Sequence, residues 1–267
     1  MVAAARYWVN LAWQARGSEQ FQRLIVEQEN EIGYQFGRLG NSLGPVADHW
    51  RANGDLDRDD LQTFYALMSN EGVFSSLRGI GVIVADPLSG GELLIDTIEP
   101  VDSNIGLSGA DITQMPAPAE AAAAARETSQ PQLVRGENSD PAGGFFLIQP
   151  VDGLADEQGA QAIEVRQDAF LGWLIAPIDV GKFFEASNVL YRSELGITAY
   201  ADAETPTYST VQVSGANGEA EHEPMFVDTI EMDLFGLGWK IESYSLPDLE
   251  RLAAYPVRTA PQPAATS

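Results

Sequence analysis

Asp102 and Asn104 are the side chains whose type and spacing most invite a chemical role. They lie in "IEPVDSNIGLSGAD", residues 98–111, where an apolar run ends at Pro100 and gives way to a glycine-bearing loop that closes on Asp111. Pro100 has no N–H for a sheet ladder, so the strand is expected to stop there. One residue apart, a carboxylate and an amide on extended backbone share a face. Gly106 and Gly109 allow the backbone to approach another group closely. At a pocket mouth, such a pair can accept from and donate to a small polar ring. The same residues also make an Asx-turn, in which each side chain bonds only its own backbone. The residue types alone leave both readings open.

Other chemistry is sparse. The two histidines, His49 and His222, sit in polar contexts, and neither has a second histidine or a carboxylate at metal-ligand spacing. There is no cysteine, which removes disulfides, thiolate nucleophiles and Cys-type zinc sites. No nucleophile elbow, HExxH helix, P-loop or dinucleotide fingerprint occurs, and the glycines of "SLRGIG" precede or enter a strand instead of cradling phosphate. Paired carboxylates for glycoside hydrolysis are separated in space and not in sequence, so a secreted hydrolase stays a third reading with nothing pointing to it. No catalytic residue, metal or cofactor is expected.

The bulk composition excludes some partners. The chain has 267 residues, with 39 acidic against 15 basic and a net charge of −24. That field repels nucleic acid and anionic lipid, so neither is expected as a partner. With 45% hydrophobic residues, the chain should fold. No stretch reaches the roughly 18–20 apolar residues of a membrane span, and no secretory leader is visible. The short apolar start "MVAAARYWVNLAW" and the linker-like end "RTAPQPAATS" read as the ends of a piece of something longer.

The elements that must position the loop follow from periodicity. Phe21, Leu24, Ile25, Ile32, Phe36 and Leu39 recur at helical spacings, with Ser18 as a candidate N-cap. With the apolar residues before it, this helix could run about 35 residues, or about 50 Å. It is either a long core helix or a stalk that pairs with a second copy. "DLDRDDLQTFYALMSN" reads as a second helix. "SSLRGIGVIVADP" and "LLIDTIEP" read as two strands of a hairpin joined through "LSGGE". "MPAPAEAAAAARET" is an alanine-rich helix, "PQLVRG" is extended, and "GGFFLIQPV" is a buried strand. A polar stretch at 152–168 follows, and then the pattern restarts. "AFLGWLIAPI" is a strand and "DVGKFFEASNVLYRSE" a helix capped by Asp179. "LGITAYAD", "TYSTVQVS", "PMFVDTIEMDLFG" and "LGWKIESYSL" are four strands, and "PDLERLAAY" is a last helix. The class is α+β, with antiparallel sheets in two halves behind a long helix.

Laid out this way, roughly residues 17–252 resemble the CHASE domain, the extracytoplasmic sensory module of receptor histidine kinases and nucleotide cyclases. The resemblance is carried by "IEPVDSNIGLSGAD", then "AARETSQPQLV", then "GGFFLIQPV", with "SSLRGIG" like the opening strand and "FGLGWKIES" like the closing one. It implies a long N-terminal stalk and dimer helix over 1–45 and a membrane-distal PAS-like ligand subdomain over 46–152. A membrane-proximal PAS-like subdomain over 153–254 and a tail over 255–267 complete it. It further implies no enzymatic activity, a homodimer through the long helix, a periplasmic position on an inner-membrane receptor, and flanking membrane segments absent from this chain.

In plant members an aspartate of this loop grips the adenine ring of a cytokinin. Asp102 falls at that position, and Asn104 matches the asparagine common in bacterial members. Leu133 falls near an apolar pocket-lining position, and Phe145, Phe146 and Leu147 are expected to form the pocket floor. The implied ligand is a small molecule, with adenine-type compounds one candidate class. The family's extra helix and loop between the first two strands is missing here, where only "LSGGE" connects them. That departure supports an alternative: a degenerate module for dimerisation or for sensing a protein partner, without a small ligand.

Overall fold

The computed structural model describes residues 2–69, 72–85, 91–136, 144–153, 170–191, 193–202, 204–210 and 223–254. The chain opens with α1, Val2–Asn41, a helix of 40 residues and so about 60 Å long. It runs through Ser18 without a break, so Ser18 caps nothing. Helices α2 (Gly44–Asn53) and α3 (Arg58–Met68) follow. Asp57 caps α3 with a reciprocal box: its side chain accepts from the Asp60 N–H, and the Asp60 carboxylate accepts from the Asp57 N–H.

Strands β1 (Ile80–Ala85) and β2 (Leu93–Glu99) form the expected antiparallel pair. The stretch before β1 does not extend it: Gly72–Ser76 is a turn of 3-10 helix. The alanine-rich segment is α4 (Pro116–Thr128), followed by β3 (Gln132–Arg135), β4 (Gly144–Asp152) and β5 (Phe170–Asp179). Helix α5 (Val180–Ser187) starts at the Asp179 cap, whose carboxylate accepts from the Lys182 N–H at 3.0 Å. It is half the expected length, because Asn188 already closes it. The second half contains β6 (Leu195–Ala201), β7 (Tyr208–Ser209), β8 (Val227–Leu234), β9 (Leu237–Ser245) and α6 (Pro247–Ala254). The "TYSTVQVS" strand keeps only two residues among those described, while Val211–Ser214 of that reading, His222 and the 154–169 stretch lie outside them.

Two antiparallel sheets result, in the orders β2-β1-β5-β4-β3 and β7-β6-β9-β8. The structure is thus α+β with a long first helix and two open sheets. The sequence pattern groups β5 with the second half, but hydrogen bonding makes it the central strand of the first sheet, paired with β1 and β4. The expected division at 152–153 therefore falls between two neighbouring strands of one sheet. Periodicity reports which face of a strand is buried, not which strand lies beside it.

Each face of the first sheet has a separate core. One face carries Val82, Leu133, Phe145, Leu147, Leu174 and Ala176, packed with Ile32, Phe36 and Leu39 of α1 and with the inner face of the second sheet. The other face carries Ile83, Ile95, Ile148, Trp173 and Ile175, packed under Ala122 and Ala125 of α4. Alternation along the strands makes this division.

On the first face, Phe36 lies 3.9 Å from Phe183 and 5.9 Å from Trp239, centroid to centroid. Trp239 lies 5.6 Å from Phe145 and 5.4 Å from Phe184. One aromatic cluster thus joins α1, α5 and both sheets. Truncating a buried phenylalanine removes its transfer energy and leaves a cavity. Phe36→Ala should lower stability by about 3–5 kcal/mol in urea unfolding, with both halves lost in one transition. A loss below about 1 kcal/mol, or two separate transitions, would contradict this joint core.

Candidate functional site

The loop after β2 folds back on its own strand. Gly109 N–H donates to Ile95 O at 2.8 Å, and Ile95 N–H donates to Ala110 O at 2.9 Å. Gly109 has φ of 75°, a conformation that glycine adopts freely. Asp111 closes the loop. Its carboxylate accepts from the Thr113 N–H at 2.9 Å, from the Thr113 hydroxyl at 2.7 Å and from the Leu93 N–H at 3.3 Å. The hydroxyl bond from Thr113, more than any other contact, holds the Asp111 carboxyl below its ordinary pKa of 3.8.

Asn104 and Asp102 diverge. Asn104 is 4% exposed, and its two amide N–H groups are spent on Arg78 O at 3.0 Å and Pro100 O at 2.8 Å. Gly79 makes room for this: a Cβ there would meet Asn104 Nδ2 at 2.6 Å. Asp102 is exposed to solvent. The loop is a series of turns and not extended backbone, so residues two apart do not share a face.

Next to this loop lies a cavity of about 510 Å³, lined by Arg78, Ser103–Leu107, Met115, Gly136, Gly144, Phe146 and Pro177. Asn104 is on its wall, and Asp102 is not among the lining residues. Leu133, Phe145 and Leu147 do not reach it, because they point into the core on the opposite face of the sheet. Of the expected floor residues Phe145, Phe146 and Leu147, Phe146 alone faces the cavity. Which parity faced the loop was not legible in the continuous apolar run "GFFLI". Arg78 and Met115 were missed as well, and only the packing of separate segments brings them here.

A shallower depression of about 440 Å³ lies on the second sheet beside Tyr200, Glu231, Asp233 and Lys240. Its charges are partly occupied: Lys240 pairs with Glu242 at 2.7 Å, and the Tyr200 hydroxyl donates to Glu242 at 3.1 Å. The hydrogen bond from Lys240 lowers the Glu242 pKa. Among the described residues no group of three potential metal ligands occurs, and no helix is long and apolar enough to cross a membrane.

Comparison with known proteins agrees with this layout. Residues 87–211 match the family model of the CHASE domain, so this stretch is a CHASE domain region, a sensory and non-catalytic module. The match covers the 98–111 loop, the cavity walls after it, β5, β6 and β7. The chain is similar in fold to a solved extracellular ligand binding receptor from Desulfohalobium retbaense DSM5692, with a TM-score of 0.54 and 18% identity. The likeness covers 84% of this chain and 40% of that one, so this chain spans less than half of the receptor's length. No curated protein matches the sequence.

The loop geometry has a measurable consequence. A carboxyl with a lowered folded pKa stabilises the fold above its unfolded pKa, and that contribution disappears as pH falls through the folded value. The Asp111 carboxyl should titrate below 3.8 by carbon-detected NMR, and Thr113→Ala should raise its midpoint. An unchanged midpoint in Thr113→Ala would remove that hydroxyl as the cause.

Proposed function

We propose that the chain is the extracytoplasmic ligand-sensing part of a transmembrane receptor, of the histidine kinase or diguanylate cyclase type. In this reading the first sheet is a membrane-distal PAS-like subdomain that takes a small molecule into the cavity beside the 98–111 loop. The second sheet is the membrane-proximal PAS-like subdomain. The observation that carries the reading is the coincidence of the CHASE match with a cavity walled by the 98–111 loop. A volume of about 510 Å³ lies within the range of small-molecule sites. An open cavity favours small-molecule sensing over a degenerate module.

Ligand binding shifts a two-state equilibrium only by its differential affinity for the two states. The loop is bonded to the Arg78 backbone, and α1 packs the reverse face of the same sheet, so a shift at the cavity has a short path to the helix. We assign the homodimer contact to the outer face of α1. Ile25 and Ile32 cannot supply it, because at 3% and 1% exposure they are spent on the chain's own core. Val26, Asn30, Gly33 and Gly37 line up on the opposite stripe, with Tyr34 beside them. Val26 is 54% exposed and Tyr34 62%. A Cβ at Gly33 or Gly37 would meet nothing within 4 Å, so a second helix could approach the backbone there.

Two experiments test these parts. A thermal-shift screen of adenine derivatives, amino acids, organic acids and sugars should find a stabilising ligand, since a molecule that binds only the folded state raises Tm by mass action. The stabilisation should vanish in Gly106→Leu, which adds bulk at the cavity wall, and persist in Asp102→Ala. A hit that survives Gly106→Leu would place binding elsewhere. Separately, Gly33→Leu with Gly37→Leu should weaken the dimer in sedimentation without loss of monomer stability, because leucine favours helix over glycine by nearly 1 kcal/mol per site. An unchanged dimer would move the interface off this stripe.

A further inference from the structure

Resting on the reading of the loop-side cavity as the ligand site, we infer that the bound molecule donates an N–H or O–H hydrogen bond to Asn104 Oδ1, and that the 101–107 turn moves aside for that bond to form. Asn104 is the hub of the turn. Its backbone N–H donates to Val101 O at 2.8 Å, and its backbone O accepts from the Leu107 N–H at 2.9 Å and the Ser108 N–H at 3.3 Å. Its side-chain Nδ2 donates to the backbone carbonyls of Arg78 at 3.0 Å and Pro100 at 2.8 Å. Carbonyls only accept, so these two contacts fix which end of the amide is nitrogen.

Every polar group of Asn104 is thus bonded except Oδ1, which is buried and has no partner. The residue is 4% exposed and lines the cavity. A buried acceptor without a donor is costly, and a donor brought in by a bound molecule removes that cost. Leu107, Met115, Phe146 and Pro177 supply apolar surface on the same wall. The chemical class is therefore a compact molecule with an apolar body and an N–H or O–H donor at its edge.

The burial of Oδ1 also ties binding to movement. In the present arrangement the atom is shut off from solvent, so a donor reaches it only when the turn shifts. The outer side of the turn has little to hold it: Ser103 and Gly106 are exposed, and Ile105 is 73% exposed. Its two ends are fixed, by Asn104 at one side and by the pairing of Gly109 and Ala110 with Ile95 at the other. A bond that exists only in the shifted arrangement is the differential affinity that a two-state sensor needs.

The test is NMR titration of the full chain with matched neutral probes that differ only in the donor: indole with 1-methylindole, and 4-methylphenol with 4-methylanisole. The Met115 methyl reports occupancy of the cavity, and the Asn104 side-chain Cγ reports a bond to Oδ1. The donor member of at least one pair should bind about 10- to 100-fold more tightly than its methylated partner, as expected for a buried acceptor left unpaired. The Asn104 Cγ and the Leu107 and Ser108 amides should shift with the donor members alone. In Asn104→Ala, the two members of a pair should bind alike, an equalisation that a merely loosened turn would not produce. Should that variant not fold, the Cγ shift in the unmodified chain decides. If both members move Met115 equally while Asn104 Cγ stays fixed, the cavity remains the site and the bond to Oδ1 is wrong. A Cγ shift with the Leu107 and Ser108 amides fixed would overturn the movement of the turn. If no probe moves Met115, the inference is overturned, and the site reading fails with it when the broader thermal-shift screen is also empty.

Discussion

The aromatic cluster around Phe36 is the contact on which the other features depend. Phe36 reaches from α1 to Phe183 and Phe184 of α5 and to Trp239 of the second sheet, and Trp239 in turn meets Phe145 of the first. Large rings bury much apolar area and pack with specific geometry, so a cluster of them fixes positions as well as supplying burial energy. Because this cluster fills one face of the first sheet, that face has no room for a ligand. The cavity lies on the other face, where Ala122 and Ala125 of α4 pack on the sheet and the 98–111 loop lines the cavity.

Polar contacts fix the register of what the rings hold. Gln28 of α1 donates to Asn188 at 2.9 Å and accepts from the Ser243 hydroxyl at 2.7 Å. All three are almost fully buried. Sliding α1 along the second sheet would strand these groups without partners, which is expensive in a low-dielectric interior. At the far end of the helix, Gly40 lets the ring of Phe235 lie against the backbone, since a Cβ there would meet it at 2.1 Å. Phe235 O also accepts from the Leu133 N–H at 2.8 Å, tying the hairpin of the second sheet to the edge of the first. The long helix, the hairpin and the first sheet are therefore held together as one unit.

The sequence made the elements legible and their neighbours less so. The apolar spacing from Phe21 to Leu39 revealed the helix, and the valine and isoleucine runs revealed β1, β2 and β4. Asp179 announced its helix because capping is a local interaction. The place of β5 was not legible: strand pairing across the 154–169 stretch depends on long-range contacts that no local pattern encodes. The candidate site shows the same limit. Asn104 could be singled out from its loop, but its burial depends on Gly79, twenty-five positions earlier in the chain. Phe145, Phe146 and Leu147 were all assigned to the floor because a strand buried on both faces shows no alternation from which to read parity.

The central claim is that a small molecule binds on the loop side of the first sheet. Methyl NMR of the chain carrying carbon-13 at its methionine methyls tests it most directly, because the described methionines report on different places. Met115 lines the cavity, Met68 packs against the core on the opposite face, and Met232 lies on the second sheet. Titration with a ligand found by thermal shift should move the Met115 methyl first and most. Movement of Met68 or Met232 while Met115 stays fixed would contradict the account.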